Sequence, residues 1–245
     1  MVGSKCMDSD TGFLLINKPP GMTSHDVVDV LRRVTGIRKI GHAGTLDPFA
    51  TGLLLVAVGR GATKRISQFV GLDKTYEAEF VIGATTETLD PESEVQIDER
   101  LKDDHSLVIN PTCVVNEFHG PMKQVPPMYS AIKIKGKKLY NLAREGKTVE
   151  REPRDITVHS FKMLKEPWTE DGLMILSVQT EVSSGTYIRV MAQDLAAQLK
   201  TLGYVRTLNR STIGPFLLKD ATDLKDVTPE NWPSLLKNLE VEAID

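Results

Sequence analysis

Hydrophobic and polar positions along the chain predict strands and helices in irregular alternation. Short apolar or alternating runs that are rich in β-branched and aromatic residues are typical of strands. Apolar positions three and four residues apart predict one helix from Ser24 to Val34, with Ser24 as its N-terminal cap, and another from Thr186 to Leu199. The predicted strands are residues 12–17, 52–58, 76–82, 128–134, 155–164 and 173–182.

The arrangement of these elements favours an α+β fold over a doubly wound parallel sheet. Strands 155–164 and 173–182 are joined by a short polar connection that suits antiparallel pairing. We therefore expect a central mixed, largely antiparallel sheet flanked by helices. The acidic segment from Thr85 to His105 is predicted to be a surface excursion, and residues from Thr228 onward are predicted to form a short terminal helix.

Length and composition are ordinary for a soluble globular protein. The 245 residues are 40% hydrophobic and 26% charged, and no apolar run approaches the roughly 20 residues that cross a bilayer. The N-terminus lacks the pattern of a secretory signal. Two cysteines, Cys6 and Cys113, supply neither a disulfide framework nor paired metal ligands. We expect a cytoplasmic protein with no membrane segment, and a monomer.

The net charge of −3 conceals a segregation of charge along the chain. Residues 87–104 contain eight acidic residues against two basic ones, and residues 220–245 contain seven against two, so the remainder carries a net charge of +8. The densest basic stretch, residues 133–154, is a candidate phosphate-binding surface. Charge counting alone fits a solvated face of a charged helix and loop equally well.

The strongest chemical signal surrounds Asp47. Residues 41–59 read GHAGTLDPFATGLLLVAVG, in which two glycines precede an Asp-Pro pair that leads into a fully apolar strand. A tight loop between rigid elements is a common place for functional side chains. An isolated Asp-Pro turn is more often structural, with its carboxylate bonded to nearby amides. The surrounding motifs decide between these two interpretations.

Residues 41–54 resemble the active-site signature GHxGTLDPxATGLL of the TruB family of tRNA pseudouridine synthases. This resemblance implies a pseudouridine synthase-like fold, with a catalytic domain over residues 1–220 and an RNA-gripping insertion at about 119–155. Residues 221–245 would then be a short acidic tail, too short for the PUA module that follows in many members. Further matching motifs are NKPPGMTSHDVV (17–28), GRGATK (59–64), KTYEAEFVIGATTETLD (74–90), VPPMYSAIKIKGKKLYNLAREGKTVEREPR (125–154), SSGTYIRVMAQDL (183–195) and LNRSTIGPF (208–216).

The resemblance implies that catalysis depends on Asp47, Tyr76 and Arg189. A carboxylate is ionised at neutral pH and can attack carbon without an activating base. A guanidinium beside it would keep it charged despite burial, and a tyrosine could stack on the uracil near C5. The sequence leaves open whether the Asp47 adduct forms directly at the sugar C1′ or after a glycal has formed.

The same resemblance implies a set of contacts with RNA. A target uridine must leave its stack, at a cost of a few kcal/mol, and stacking or hydrogen bonding by the protein offsets that cost. The family's substrate is the uridine at position 55 of the tRNA T loop, so the T arm is the expected partner. The expected contact residues are His42, Leu208, Lys18, Tyr187 and, from the basic insertion, Lys133, Lys135 and Arg144.

Other chemistries are disfavoured by residue spacing. GRGATK lacks both the third glycine of a dinucleotide fingerprint and the Gly-Lys-Ser/Thr of a P-loop, so no nucleotide cofactor is expected. The five histidines show no metal-ligand clustering, and an isomerisation needs no cofactor. Two alternatives stay open: a catalytically idle RNA-binding or RNA-folding protein of the same shape, and an unrelated hydrolase that uses Asp47. In the last motif, Asn209 stands where an arginine is common, which leaves Arg210 as the motif's only basic residue.

Overall fold

The computed structural model describes residues 11–102, 111–130, 132–134 and 136–240. The helices are α1 (Ser24–Thr35), α2 (Gly59–Thr63), α3 (Ile66–Val70), α4 (Pro111–Glu117), α5 (Leu139–Arg144), α6 (Ile188–Gln198) and α7 (Trp232–Leu235). The strands are β1 (Gly12–Lys18), β2 (Ile40–Ala43), β3 (Thr51–Val58), β4 (Lys74–Ile82), β5 (Ala84–Thr86), β6 (Val95–Ile97), β7 (Gly120–Gln124), β8 (Lys133–Ile134), β9 (Lys137–Lys138), β10 (Arg154–Met163), β11 (Trp168–Glu170), β12 (Leu173–Val182), β13 (Gly203–Ile213), β14 (Phe216–Leu217) and β15 (Thr222–Asp223).

The chain divides into two compact units. The first unit comprises residues 1–76 and 209–245, and the second comprises residues 77–208. Strands β4 and β13 each contribute residues to both units. Among the predicted catalytic residues, Asp47 and Tyr76 therefore belong to the first unit and Arg189 to the second.

The first unit is built on a mixed sheet. Its strands follow the order β15-β1-β3-β13, with β2 paired to β3 and β14 paired to β13. Strand β1 runs antiparallel to β3 along its whole length, from Gly12 opposite Val58 to Lys18 opposite Gly52. The pairings of β1 with β15 and of β3 with β13 are parallel. The prediction of a mixed sheet is confirmed.

Strands β1 and β3 are buried on both faces, which explains why they read as continuous apolar runs. On one face they pack against α1 and the C-terminal segment, and on the other against α2 and α3. The first cluster includes Leu14, Ile16, Val27, Leu31, Leu54, Val56, Leu224, Val227 and Trp232, and the second includes Phe13, Leu15, Leu53, Leu55, Ala62, Phe69 and Ile213. The predicted acidic tail thus contributes side chains to the core of the first unit.

The predicted terminal helix is shorter than expected, because only Trp232–Leu235 is helical. Helix α1 was predicted correctly, but its cap was not. Thr23, rather than Ser24, accepts a hydrogen bond from the amide of Asp26 at 3.0 Å, and the Asp26 carboxylate accepts one from the Thr23 amide at 2.8 Å. This reciprocal arrangement satisfies two amides at the helix start and leaves Ser24 available for another contact.

The second unit has strands in the order β13-β4-β12-β10-β7, with β11 paired to β12. Strand β10 is antiparallel to both β12 and β7, which confirms the predicted pairing of the two long strands. Two small antiparallel hairpins, β5–β6 and β8–β9, complete its strands among the described residues. With helices α4, α5 and α6, this arrangement confirms the α+β class.

Two predictions for the second unit were wrong. Residues 128–130 form a bend rather than a strand, and within the described part of the predicted strand 128–134 only Lys133–Ile134 pairs. The acidic segment is not wholly a surface excursion, because Asp90 and Asp98 are buried. Hydrogen bonds from Arg100 lower the pKa of Asp98 to about 2.

Among the described residues, no helix is long and apolar enough to span a membrane.

Candidate active site

Asp47 lies on the loop that joins β2 to β3, and its side chain is half-buried. Gly44 begins the turn at a φ of 90°, a conformation that other residues rarely adopt. The Ala50 amide then donates to the Asp47 carbonyl at 3.1 Å, which closes the turn. Two rigid strands therefore hold the carboxylate on a short, tightly folded segment, as the sequence predicts. We call residues 44–50 the Asp47 loop.

Lys18 supports the Asp47 loop from the end of β1. Its fully buried ammonium donates to the carbonyls of Pro19 at 2.9 Å, Met22 at 2.6 Å and Pro48 at 3.0 Å. The Gly21 amide also donates to the Pro48 carbonyl, at 2.9 Å. These bonds use the ammonium as a hydrogen-bond donor to main-chain carbonyls. They give Lys18 a supporting role, and its predicted contact with substrate stays a prediction.

Ser24 fixes the loop from the first turn of α1. Its buried hydroxyl accepts from the Leu46 amide at 2.8 Å and can donate to the Leu46 carbonyl at 3.2 Å. This pair of contacts explains why Ser24 does not cap its own helix. The residue before Asp47 is thus bonded through both main-chain groups to one side chain.

His42 and Tyr76 are the other predicted site residues of the first unit. His42 lies on β2 opposite Val56, and its Nδ1 atom is buried. Burial, assisted by the charge of Arg210, lowers the pKa of His42, so its imidazole is neutral at neutral pH. Tyr76 on β4 is buried. A neutral imidazole and a phenol are both suited to stacking on bases.

Arg189 is a buried cation in the first turn of α6 in the second unit. Its guanidinium forms an ion pair with Asp90 at 3.2 Å and donates to the carbonyls of Thr88 at 2.6 Å and Tyr129 at 2.8 Å. The Asp90 carboxylate also accepts from the Thr88 hydroxyl at 2.5 Å. Charged and polar partners thus hold the guanidinium in place. Its predicted pairing with Asp47 stays a prediction.

The remaining predicted contacts lie in the second unit and differ in exposure. Leu208 is buried on β13, whereas Tyr187 is half-buried immediately before α6. Arg144 is exposed at the end of α5, and its guanidinium lies 5.6 Å from the centre of the Tyr140 ring. Lys133 begins the β8–β9 hairpin opposite Lys138. Lys135 lies outside the described residues.

A family profile described as "TruB family pseudouridylate synthase (N terminal domain)" matches residues 32–188, which is more than half of the chain. The chain belongs to the TruB family. Related sequences extend the match across nearly the whole chain. A protein of Desulfotalea psychrophila named tRNA pseudouridine synthase B is 41% identical over 239 residues, which cover 97% of this chain and 96% of that protein. A protein of the same name from Endomicrobium trichonymphae is 43% identical over 226 residues, which cover 91% of this chain and 94% of that protein.

Solved structures share the fold of this TruB-family chain. A chain from a Cbf5-Nop10-Gar1 complex superposes with a TM-score of 0.66 at 26% identity, over 90% of this chain and 54% of that one. An archaeal box H/ACA Nop10-Cbf5 complex gives a TM-score of 0.63 at 23% identity, over the same shares of the two chains. This chain spans about half the length of those solved chains. The pseudouridine synthase-like fold is confirmed.

Sequence reasoning missed two residues that support the predicted site of this TruB-family chain. Asp90 ends the motif of residues 74–90 and holds Arg189, yet its place in an acidic run suggested solvent exposure. Gln124 ends β7, and its side-chain amide bonds both main-chain groups of Tyr187, at 2.8 Å and 3.0 Å. Neither residue gives a distinctive sequence signal, because each role depends on a partner more than 60 residues away.

A cavity of about 540 Å³ adjoins the Arg189 contacts within the second unit. Thr88 and Tyr129, whose carbonyls bind Arg189, line it together with Arg151 and Asp194. Burial raises the pKa of Asp194 to about 6. Within the described part of the chain, no group of three or more His, Cys, Asp or Glu side chains is placed to hold a metal ion.

Proposed function

We propose that the protein isomerises uridine to pseudouridine at position 55 in the T loop of tRNA, as a cytoplasmic monomer that uses Asp47 as its nucleophile. The observation that carries this proposal is the Asp47 loop: its sequence matches the family's signature, and main-chain bonds fix it around a half-buried carboxylate. Relatives named tRNA pseudouridine synthase B, similar over nearly the whole chain, support tRNA as the substrate.

The reaction conserves atoms and oxidation state. The bond between N1 and C1′ breaks, the uracil turns while it stays bound, and C5 forms the new bond to C1′. The C5 proton then leaves and N1 gains one. On one route Asp47 attacks C1′ directly and is displaced from it when C5 bonds to C1′. On the other route a glycal forms first by loss of the C2′ proton, and C2′ regains a proton when C1′ is bonded again. The Tyr76 ring stacks on the uracil near C5, and the positive charge of the Arg189 guanidinium keeps the carboxylate ionised.

Further residues bind the flipped nucleotide. The neutral His42 imidazole stacks on or bonds to displaced nucleotides, and Leu208 and Tyr187 line the uracil pocket. Lys18, which supports the Asp47 loop, also contacts the substrate. Basic side chains of the insertion neutralise T-arm phosphates; they are Lys133, Lys135 and Arg144.

Tritium release from uracil C5 of unmodified tRNA tests this proposal. The wild-type protein should release tritium without added metal or nucleotide, and Asp47→Asn should abolish release while most of the RNA affinity remains. Asp220→Asn is the matched control, because Asp220 is exposed and lies outside the loop. Turnover by Asp47→Asn would exclude Asp47 as the nucleophile. Binding without turnover by the wild-type protein would favour the idle RNA-binding alternative.

A further inference from the structure

Arg210 is a buried arginine of β13 that donates hydrogen bonds to main-chain carbonyls near Asp47. Its side chain is 1% exposed. Nε donates to the Leu53 carbonyl at 2.8 Å, Nη2 to the Gly44 carbonyl at 3.2 Å and Nη1 to the Thr45 carbonyl at 3.4 Å. One planar guanidinium thus bonds the chain on both sides of Asp47.

The strand register explains how this arginine reaches the loop. Strand β13 runs parallel to β3, with Asn209 opposite Thr51 and Arg210 opposite Gly52. Gly52 has a φ of 104°, and a Cβ atom there would lie 2.7 Å from the Arg210 amide nitrogen. Only glycine permits this close approach of the two backbones. The approach brings the side chain of Arg210 against the loop carbonyls.

The carbonyls that Arg210 contacts stabilise its buried positive charge. A buried charge is costly unless it is paired or hydrogen-bonded. Among the described residues, no carboxylate lies within ion-pair distance of Arg210, whereas Arg189 has Asp90. The carbonyls of Gly44, Thr45 and Leu53 therefore stabilise the guanidinium in place of a counter-ion. Movement of the loop away from this position would leave a buried charge without its acceptors, so the charge opposes such movement.

We infer that Arg210 is a positioning residue that holds the Asp47 loop in the conformation required for attack on the nucleotide. This inference rests on the proposed function, and it assigns to the last motif a role in catalysis without contact with RNA. A displacement of about 1 Å at a reacting group can reduce the rate by about 100-fold. We therefore expect Arg210→Gln to lower kcat by about that factor while the Kd for tRNA changes little.

Arg206 provides a matched control on the same strand. Its guanidinium pairs with Glu79 and Glu170 and makes no described contact with the loop. Arg206→Gln should leave kcat near the wild-type value, although it also removes a paired arginine. Arg210→Lys should recover kcat only in part, because one compact ammonium cannot bond carbonyls on both sides of Asp47. If Arg210→Gln does not fold, Arg210→Lys carries the comparison.

Hydrogen exchange and histidine titration measure positioning without reference to turnover. Arg210→Gln should speed amide exchange at residues 44–50 relative to Arg206→Gln. It should also raise the pKa of His42 in NMR titration, because a nearby positive charge is removed. Unchanged loop exchange, or a fall in kcat no larger than that of Arg206→Gln, would overturn the inference. Absence of turnover in the wild-type protein would instead contradict the proposed function, and loop exchange would still test the role of Arg210.

Discussion

The Asp47 loop and the basic insertion are built in opposite ways. The loop is short and bonded through its main chain to the buried side chains of Lys18, Ser24 and Arg210. The insertion instead presents a two-stranded hairpin and a short helix, and the turn that follows the helix is exposed around Arg144 and Lys147. The difference suits the two tasks that we propose for these regions. A nucleophile must be held within a fraction of an ångström, whereas a phosphate-binding surface gains from exposed charges that can adapt.

Gly52→Ala should give the largest effect on stability, because it disrupts the packing of Arg210 that supports the Asp47 loop. An added Cβ would lie 2.7 Å from both the Arg210 amide nitrogen and the Asn209 Oδ1 atom, at a φ that disfavours alanine. We expect a loss of about 3 kcal/mol or more in urea unfolding. Gly172→Ala is the control, since Gly172 also has a positive φ but nothing lies within 4 Å of the new Cβ. Its cost should be about 1 kcal/mol, and equal losses would argue against close packing at Gly52.

Neutralising the insertion should weaken binding and spare chemistry. Changing Lys133, Lys135, Lys137 and Lys138 together to glutamine should weaken tRNA affinity on the order of 100-fold at low salt. The slope of log affinity against log salt should become shallower by about 0.7 for each phosphate that the protein no longer neutralises. The kcat at saturating tRNA should stay near the wild-type value. If affinity is unchanged, the insertion does not belong to the RNA-binding surface.

The pH dependence of stability tests whether Asp194, which lines the cavity of the second unit, is a buried carboxyl group. Its folded-state pKa is raised to about 6, so its contribution to stability is full below about pH 4 and is lost as the pH rises through about 6. Asp194→Asn should therefore be more stable than the wild type near pH 7, by about 1 kcal/mol after allowance for solvent screening. The two proteins should converge near pH 4 in urea unfolding. A difference that does not vary with pH would argue against a buried, titrating carboxylate.

Much of the sheet could be predicted from sequence, because buried strands such as β3 and β12 are apolar along most of their length. Strand β13 was not predicted, since arginine, threonine and asparagine interrupt its apolar positions. The buried cations Lys18 and Arg210 could not be predicted from hydropathy, which favours their exposure. Their burial depends on carbonyl groups 30 and 157 residues away, and only the tertiary fold brings these together. The role of Asp47 came from the resemblance, because a single Asp-Pro turn is chemically ambiguous.

We propose that the protein uses Asp47 to form pseudouridine at position 55 of tRNA. The most direct measurement maps pseudouridine in tRNA from cells that lack this protein and are supplied with either the wild-type or the Asp47→Asn form. We expect that the wild-type protein restores pseudouridine at position 55 and that Asp47→Asn leaves uridine there. Restoration of pseudouridine 55 by Asp47→Asn would contradict this proposal. It would also be contradicted if cells that lack the protein keep pseudouridine 55 and lose pseudouridine only at other tRNA positions.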